Sequence, residues 1–225
     1  VDASNFDLMD VNANAATKLP VVRSASGGPS GQPSAYFPGI ADNAGETGRP
    51  YLRVPNASSL YANSGTLNAE LSFNCWFKTV RGAGNRDNQL FVAANSLAFS
   101  VHSDPAGTLS FIGGVWFDGA WKGFGVYSAL GDFSTNPAML TMVYSTAAGV
   151  VTTYVNGVVT STAGNAVTGG FVALHGDVYG DLLIGSRTDA YVNALGYISH
   201  AGLWHRALSL REVQDLYNNG TGLLY

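Results

Sequence analysis

From Ala35 onward the chain is built of short runs in which apolar and polar residues alternate, separated by turn-forming clusters. This period of two restricts it to antiparallel sheets with one buried face. Leu71, Phe73, Cys75 and Phe77 alternate with Ser72, Asn74, Trp76 and Lys78. The pattern predicts further strands at Ala35–Phe37, Tyr51–Val54, Gln89–Ala93, Leu97–His102, Thr108–Ile112, Gly123–Tyr127, Met139–Ser145, Val150–Val155, Val158–Ser161, Asp181–Ile184 and Leu195–His205. With no helical period between them, these strands define an all-β fold, a two-sheet antiparallel β-sandwich.

The sharpest local signal is Val150 to Thr160, two β-branched runs joined by Asn156-Gly157, whose residues accept the positive φ of a type I′ turn. One short C-terminal helix is expected. Ser209 caps it, Glu212 completes a capping box, Leu210, Val213 and Tyr217 form an apolar stripe, and Asn218-Asn219-Gly220 stops it. Residues 1–34 carry no sustained period, and Gly27 to Ser34 is rich in residues that break helix and strand alike. They read as an N-terminal extension and linker-like loop, where Phe6–Met9 and Leu19–Val22 are candidates for a short edge strand, and residues 35–225 as the sandwich domain.

A chain of 225 residues buries roughly 70 to 75% of its unfolded surface and needs no disulfide framework. The single cysteine, Cys75, agrees: mid-strand on the apolar face, it is expected to be a buried structural thiol. Charged residues make up only 12%, with three lysines, eight arginines and a net charge of -4. No clustered cationic surface is available for nucleic acid or anionic lipid. No apolar run approaches the ~18 to 20 residues of a membrane span, so membrane insertion is not expected. The start at Val1, without an initiator Met, suggests a processed or excised chain, and the low charge suggests an extracellular, cell-surface or virion-surface setting.

Four segments taken in order resemble the laminin-G-like jelly-roll modules of the concanavalin A-like lectin and glucanase superfamily. They are Leu71 to Lys78 with its embedded Trp76, Leu140 to Tyr144 leading to Tyr154-Val155-Asn156-Gly157, Leu182-Leu183-Ile184-Gly185, and Gly196-Tyr197-Ile198 through Leu203 to Val213. The last is the most specific: a strand, an Arg-Ala-Leu-Ser turn and a capped helix. The resemblance covers about residues 35 to 220 and implies a sandwich that hosts sugar-binding and adhesion modules and fewer glycan-cleaving enzymes. Fold does not decide among these.

Retaining glycan hydrolysis needs two carboxylates about 5 Å apart, which the glucanase branch presents as Glu-x-Asp-x-x-Glu. The three glutamates, Glu46, Glu70 and Glu212, stand in no such run. Gly-x-Ser-x-Gly and His-Glu-x-x-His are absent, and no lysine follows a glycine as a phosphate loop requires. His200 and His205 share one strand candidate, where their odd spacing places them on opposite faces and argues against a zinc pair.

Many relatives of the resembled family hold calcium at the sandwich rim, and hard cations want clustered oxygens. Asp42, Asn43 and Glu46 are the candidate ligands of a structural Ca2+, the alternative being a solvated acidic loop. Sugar recognition combines aromatic platforms with amides and carboxylates. Gly113 to Phe124 has that chemistry: Trp116, Asp118 and Trp121 stand among four glycines that favour a loop or twisted hairpin. Asp177, Tyr179, Arg187 and Tyr191 are expected to line a site with them if the loops at one end of the sandwich converge. The alternative for the tryptophans is a plug sealing the sandwich end.

The expected function is a non-catalytic, carbohydrate-binding module whose partner is a glycan or polysaccharide. The alternative is a structural or adhesion domain of a virion or cell envelope contacting other protein chains. A glycan-cleaving enzyme stands third.

Overall fold

The computed structural model describes residues 9–10, 22–24, 26–38, 51–54, 62–63, 66–67, 70–80, 86–93, 97–103, 109–117, 120–126, 133–145, 150–163, 182–185 and 194–223. The alternating runs pair into two seven-stranded antiparallel sheets. With strands numbered along the chain, the first sheet runs β1 (Met9–Asp10), β4 (Leu52–Val54), β15 (Leu182–Ile184), β8 (Arg86–Ala93), β9 (Leu97–Ser103), β10 (Leu109–Phe117), β11 (Ala120–Val126). The second runs β14 (Val158–Ala163), β13 (Val150–Val155), β12 (Ala138–Ser145), β7 (Glu70–Thr79), β16 (Leu195–Trp204), β3 (Ser34–Pro38), β2 (Val22–Ser24). A two-stranded ribbon joins β5 (Ala62–Asn63) to β6 (Thr66–Leu67).

The inner face of β7, Leu71, Phe73, Cys75 and Phe77, packs with Leu140 and Met142 of β12 against Phe91, Phe99, Val101, Leu182 and Ile184 of the first sheet. Consecutive Leu90 and Phe91 both enter this core because the ladder to β9 shifts register between Gln89 and Phe91, and a bulge lets neighbours share a face. Asn88, beside the shift, ties the sheets together. Its Nδ2 donates to the Val101 carbonyl at 3.3 Å and its Oδ1 accepts from the Leu195 amide at 3.0 Å.

The expectation of one buried face needs correction on β7 and β12. Trp76, Met139, Val143 and Tyr154 form a second core beneath Val213 and Leu216 of helix α1 (Leu210–Tyr217), so Ser72 and Asn74 are buried as well. Both polar groups are satisfied, as burial demands. Asn74 Nδ2 donates to Thr141 Oγ1 at 2.8 Å, while Ser72 Oγ donates to the Arg206 carbonyl at 2.7 Å and accepts from the Leu208 amide at 2.9 Å. The capping box forms as expected, but the stripe is rotated: Leu216 is buried and Leu210 exposed. At ~100° per residue, Leu210 lies about a quarter turn from the axis midway between Val213 and Leu216.

The Asn156-Gly157 hairpin forms, with φ of 52° and 76°. The expected strand Leu195–His205 ends at Trp204, and a bulge between Ser199 and Gly202, with His200 at φ 49°, removes the alternation on which its parity rested. His205 follows the strand and is exposed. At the N-terminal end, β1 pairs with β4 and β2 with β3. The turn-rich stretch that follows folds as a 3-10 turn at Pro29–Gly31 with Gly28 and Pro29 buried, and Gln32 Nε2 donates to the Thr221 carbonyl at 3.2 Å.

Candidate functional site

The sequence places glycines at 113, 114 and 123, and the ladder shows what they permit. Of the loop and the hairpin, the structure has the hairpin: β10 and β11 pair from Phe111↔Val126 to Phe117↔Ala120, with Gly114 opposite Gly123. Both strands therefore run past the expected ends at Ile112 and Gly123. Trp116 stands directly opposite Trp121 in this register. β11 is the outermost strand of the first sheet, so the two tryptophan positions lie on its terminal hairpin.

The remaining candidates fall elsewhere. Asp118, Asp177, Tyr179, Arg187 and Tyr191, and the proposed calcium ligands Asp42, Asn43 and Glu46, lie outside the described residues. Around Arg187 and Tyr191 the described flanks are informative. The Ala194 amide donates to the Gly185 carbonyl at 2.6 Å, which brings together the two ends of the intervening segment. Gly185 has φ 93°, and a Cβ there would collide with the Phe37 ring, so only glycine serves at this exit from β15.

Glu70 and Glu212 serve the fold. Glu70 Oε1 accepts from Ser145 Oγ at 3.1 Å and its Oε2 from the Ala207 amide at 3.4 Å, fastening the Arg-Ala-Leu-Ser turn to β7. Glu212 is held at about 2 by the Arg206 guanidinium and by hydrogen bonds from Ser209. Burial pushes the Cys75 thiol far above its ordinary range and lowers the His200 imidazole. Among the described residues no three His, Cys, Asp or Glu side chains cluster as metal ligands.

One concavity was not foreseen. A groove of about 630 Å³ opens where the Asn156-Gly157-Val158 turn meets Gln214, Tyr217 and Asn219 at the C-terminal end of α1. The sequence marks these residues only as a turn and a helix stop, and nothing local in it signals that the two meet.

The family model described as the concanavalin A-like lectin/glucanases superfamily, of laminin G type, matches residues 46–214, well over half of the chain. The chain belongs to this family. Among solved structures it is similar to a native heptameric SAP-like pentraxin from Limulus polyphemus, at 17% identity over 81% of this chain and 80% of the other, with a TM-score of 0.56. It is also similar to domain 4 of an extracellular arabinanase from Geobacillus stearothermophilus in complex with arabinotriose, at 15% identity over 87% and 80%, TM-score 0.57. A third is the binding domain of botulinum neurotoxin DC in complex with rat synaptotagmin II, at 14% identity and TM-score 0.51, covering 85% of this chain but 46% of that one. At these identities the likeness is one of fold. A comparison with curated protein sequences finds no match. No helix among the described residues is long and apolar enough to cross a membrane.

Proposed function

We propose that the chain is a non-catalytic, lectin-like module that binds a glycan or polysaccharide and belongs to an extracellular, cell-surface or virion-surface protein. The observation that carries the reading is the cross-strand pairing of Trp116 with Trp121 on the terminal hairpin of the first sheet. A sugar ring offers an apolar face of C–H bonds, which indole platforms take up, and a rim of hydroxyls for neighbouring polar groups. Asp118 lies between the two tryptophans in sequence, and Asp177, Tyr179, Arg187 and Tyr191 would supply the polar rim. The arabinotriose-bound relative supports sugar binding on this fold. Glu70 and Glu212, whose oxygens are committed to internal hydrogen bonds, support a non-catalytic role. A structural Ca2+ held by Asp42, Asn43 and Glu46 belongs to the same proposal.

A glycan array probed with the purified chain, with calcium and again with a chelator, tests this. Specific binding that disappears in Trp116→Ala or Trp121→Ala is expected, and chelator sensitivity is the signature of the cation. A blank array under both conditions overturns the reading. It would favour the second one, a structural or adhesion domain contacting other protein chains, for which the specific observation is β14. That edge strand, Val-Val-Thr-Ser-Thr-Ala, carries no charge and exposes Val158 and Val159.

A further inference from the structure

The groove lies between the β13–β14 turn and the end of α1. Gly157 has no Cβ; one placed there would stand 3.4 Å from Tyr217 Cβ and 3.5 Å from Gln214 Cα, in ordinary contact, so the glycine leaves methyl-sized room between turn and helix. The Tyr217 ring is fixed by stacking on Trp76, centroids 5.8 Å apart and planes 18° from parallel.

Two amides on the groove are each oriented by one internal hydrogen bond. Asn156 Oδ1 accepts from the Met139 amide at 2.9 Å, which leaves its Nδ2 without a partner among the described residues. Asn218 Nδ2 donates to the Gly222 carbonyl at 3.1 Å, which leaves its Oδ1. The assignment of oxygen and nitrogen follows from the partners, since an amide N–H needs an acceptor and a carbonyl a donor. One fixed donor and one fixed acceptor therefore remain, and a hydroxyl can satisfy both kinds.

The apolar part of the lining points the same way. Of the four large apolar side chains exposed among the described residues, two, Val158 and Leu223, line this groove. Among the described residues no lysine or arginine lines it, and its carboxylate, Asp215, is paired with Arg211 Nε at 3.1 Å. Phosphate, sulfate and uronate ligands have no counter-charge here. A ligand with an apolar face and uncharged hydroxyls fits, and the volume lies within the roughly 300 to 1,000 Å³ of small-molecule sites.

We propose that this groove is a binding site for one or two units of a neutral oligosaccharide, formed by residues other than those of the Trp116–Trp121 hairpin. The proposal rests on the reading that the chain binds glycans. The test is a titration of the 15N-labelled full chain with arabinotriose, xylotriose, cellotriose, maltotriose and laminaritriose, followed by amide chemical shifts. The expected result is saturable shifts at Gly157, Val158, Asn218 and Asn219 with at least one trisaccharide. Binding should weaken roughly tenfold in Asn156→Asp, which keeps the Oδ1 acceptor but removes the donor, and in Val158→Ser, an exposed position that leaves the core intact. Trp116→Ala should leave these shifts in place. Shifts confined to other residues and lost in Trp116→Ala, or groove shifts that survive both groove variants unchanged, overturn this site while the lectin reading stands. No shift with any trisaccharide, together with a blank glycan array, overturns both.

Discussion

Glu212 occupies the third position of α1, where its Oε2 accepts from the Ser209 amide at 2.9 Å and both oxygens accept from Arg206. These donors favour the ionised form and hold the carboxyl at about 2, against an ordinary 4.5. A carboxyl depressed in the folded state contributes stability that is present above its unfolded value and lost as pH falls through the folded one. We therefore expect wild type to melt above Glu212→Gln at pH 7, with the gap closing between about pH 4.5 and pH 2 in thermal scans; a pH-independent gap would refute the ion-pair account. Cys75 gives a second test at this scale. Fully buried in the inner core and with its thiolate disfavoured by desolvation, it should resist a thiol-reactive disulfide reagent in buffer and react stoichiometrically in guanidinium. Rapid modification of the native chain would show that the core opens readily. Both residues were legible in the sequence because what decides them is local: a Ser-x-x-Glu spacing in one case, the parity of an alternating strand in the other.

Among the elements, the β13–β14 hairpin depends most on two backbone angles. Asn156 and Gly157 both sit at positive φ, and the Asn156 amide and Oδ1 bond both polar groups of Met139 at 2.9 Å. A side chain in the left-handed region costs about 1 to 2 kcal/mol, so Gly157→Ala should lower stability by that amount in urea melts, without changing the slope. An unchanged midpoint would mean that the turn relaxes to another type. The Asn-Gly signal was readable because turn chemistry is set by adjacent residues. The strand ends at Phe117 and Ala120 were not, since glycines at 113, 114 and 123 argue against a strand and only pairing with β9 overrides that preference. The bulge at His200 escaped for a related reason: it arises where β16 meets β7 and leaves no mark in its own composition. The groove beside Gly157 was hidden too, because it joins a turn to a helix more than fifty residues away, and no local period records that contact.

At the scale of the whole molecule, the order of layers is first sheet, second sheet, helix, and β7 and β12 belong to both cores. Leu71, Phe73 and Phe77 face the first sheet while Trp76, on the same strand, lies under α1. Neither core can lose its packing without disturbing a strand that the other requires, so the helix layer should not melt separately. Leu216→Ala removes a buried side chain from the outer core and should cost roughly 2 to 4 kcal/mol. Phe99→Leu trims the inner core at a ring stacked on Phe91, centroids 6.1 Å apart, and should cost somewhat less. In both variants far-ultraviolet circular dichroism and tryptophan fluorescence should report one transition, shifted to lower temperature. Phe99, on β9 of the first sheet, packs in the inner core and Leu216, on α1, in the outer one, so any departure from additivity in the double variant measures the coupling through β7 and β12. Two separated transitions in Leu216→Ala, with the sheet signal surviving the first, would show that the helix is an accessory docked on an already stable sandwich.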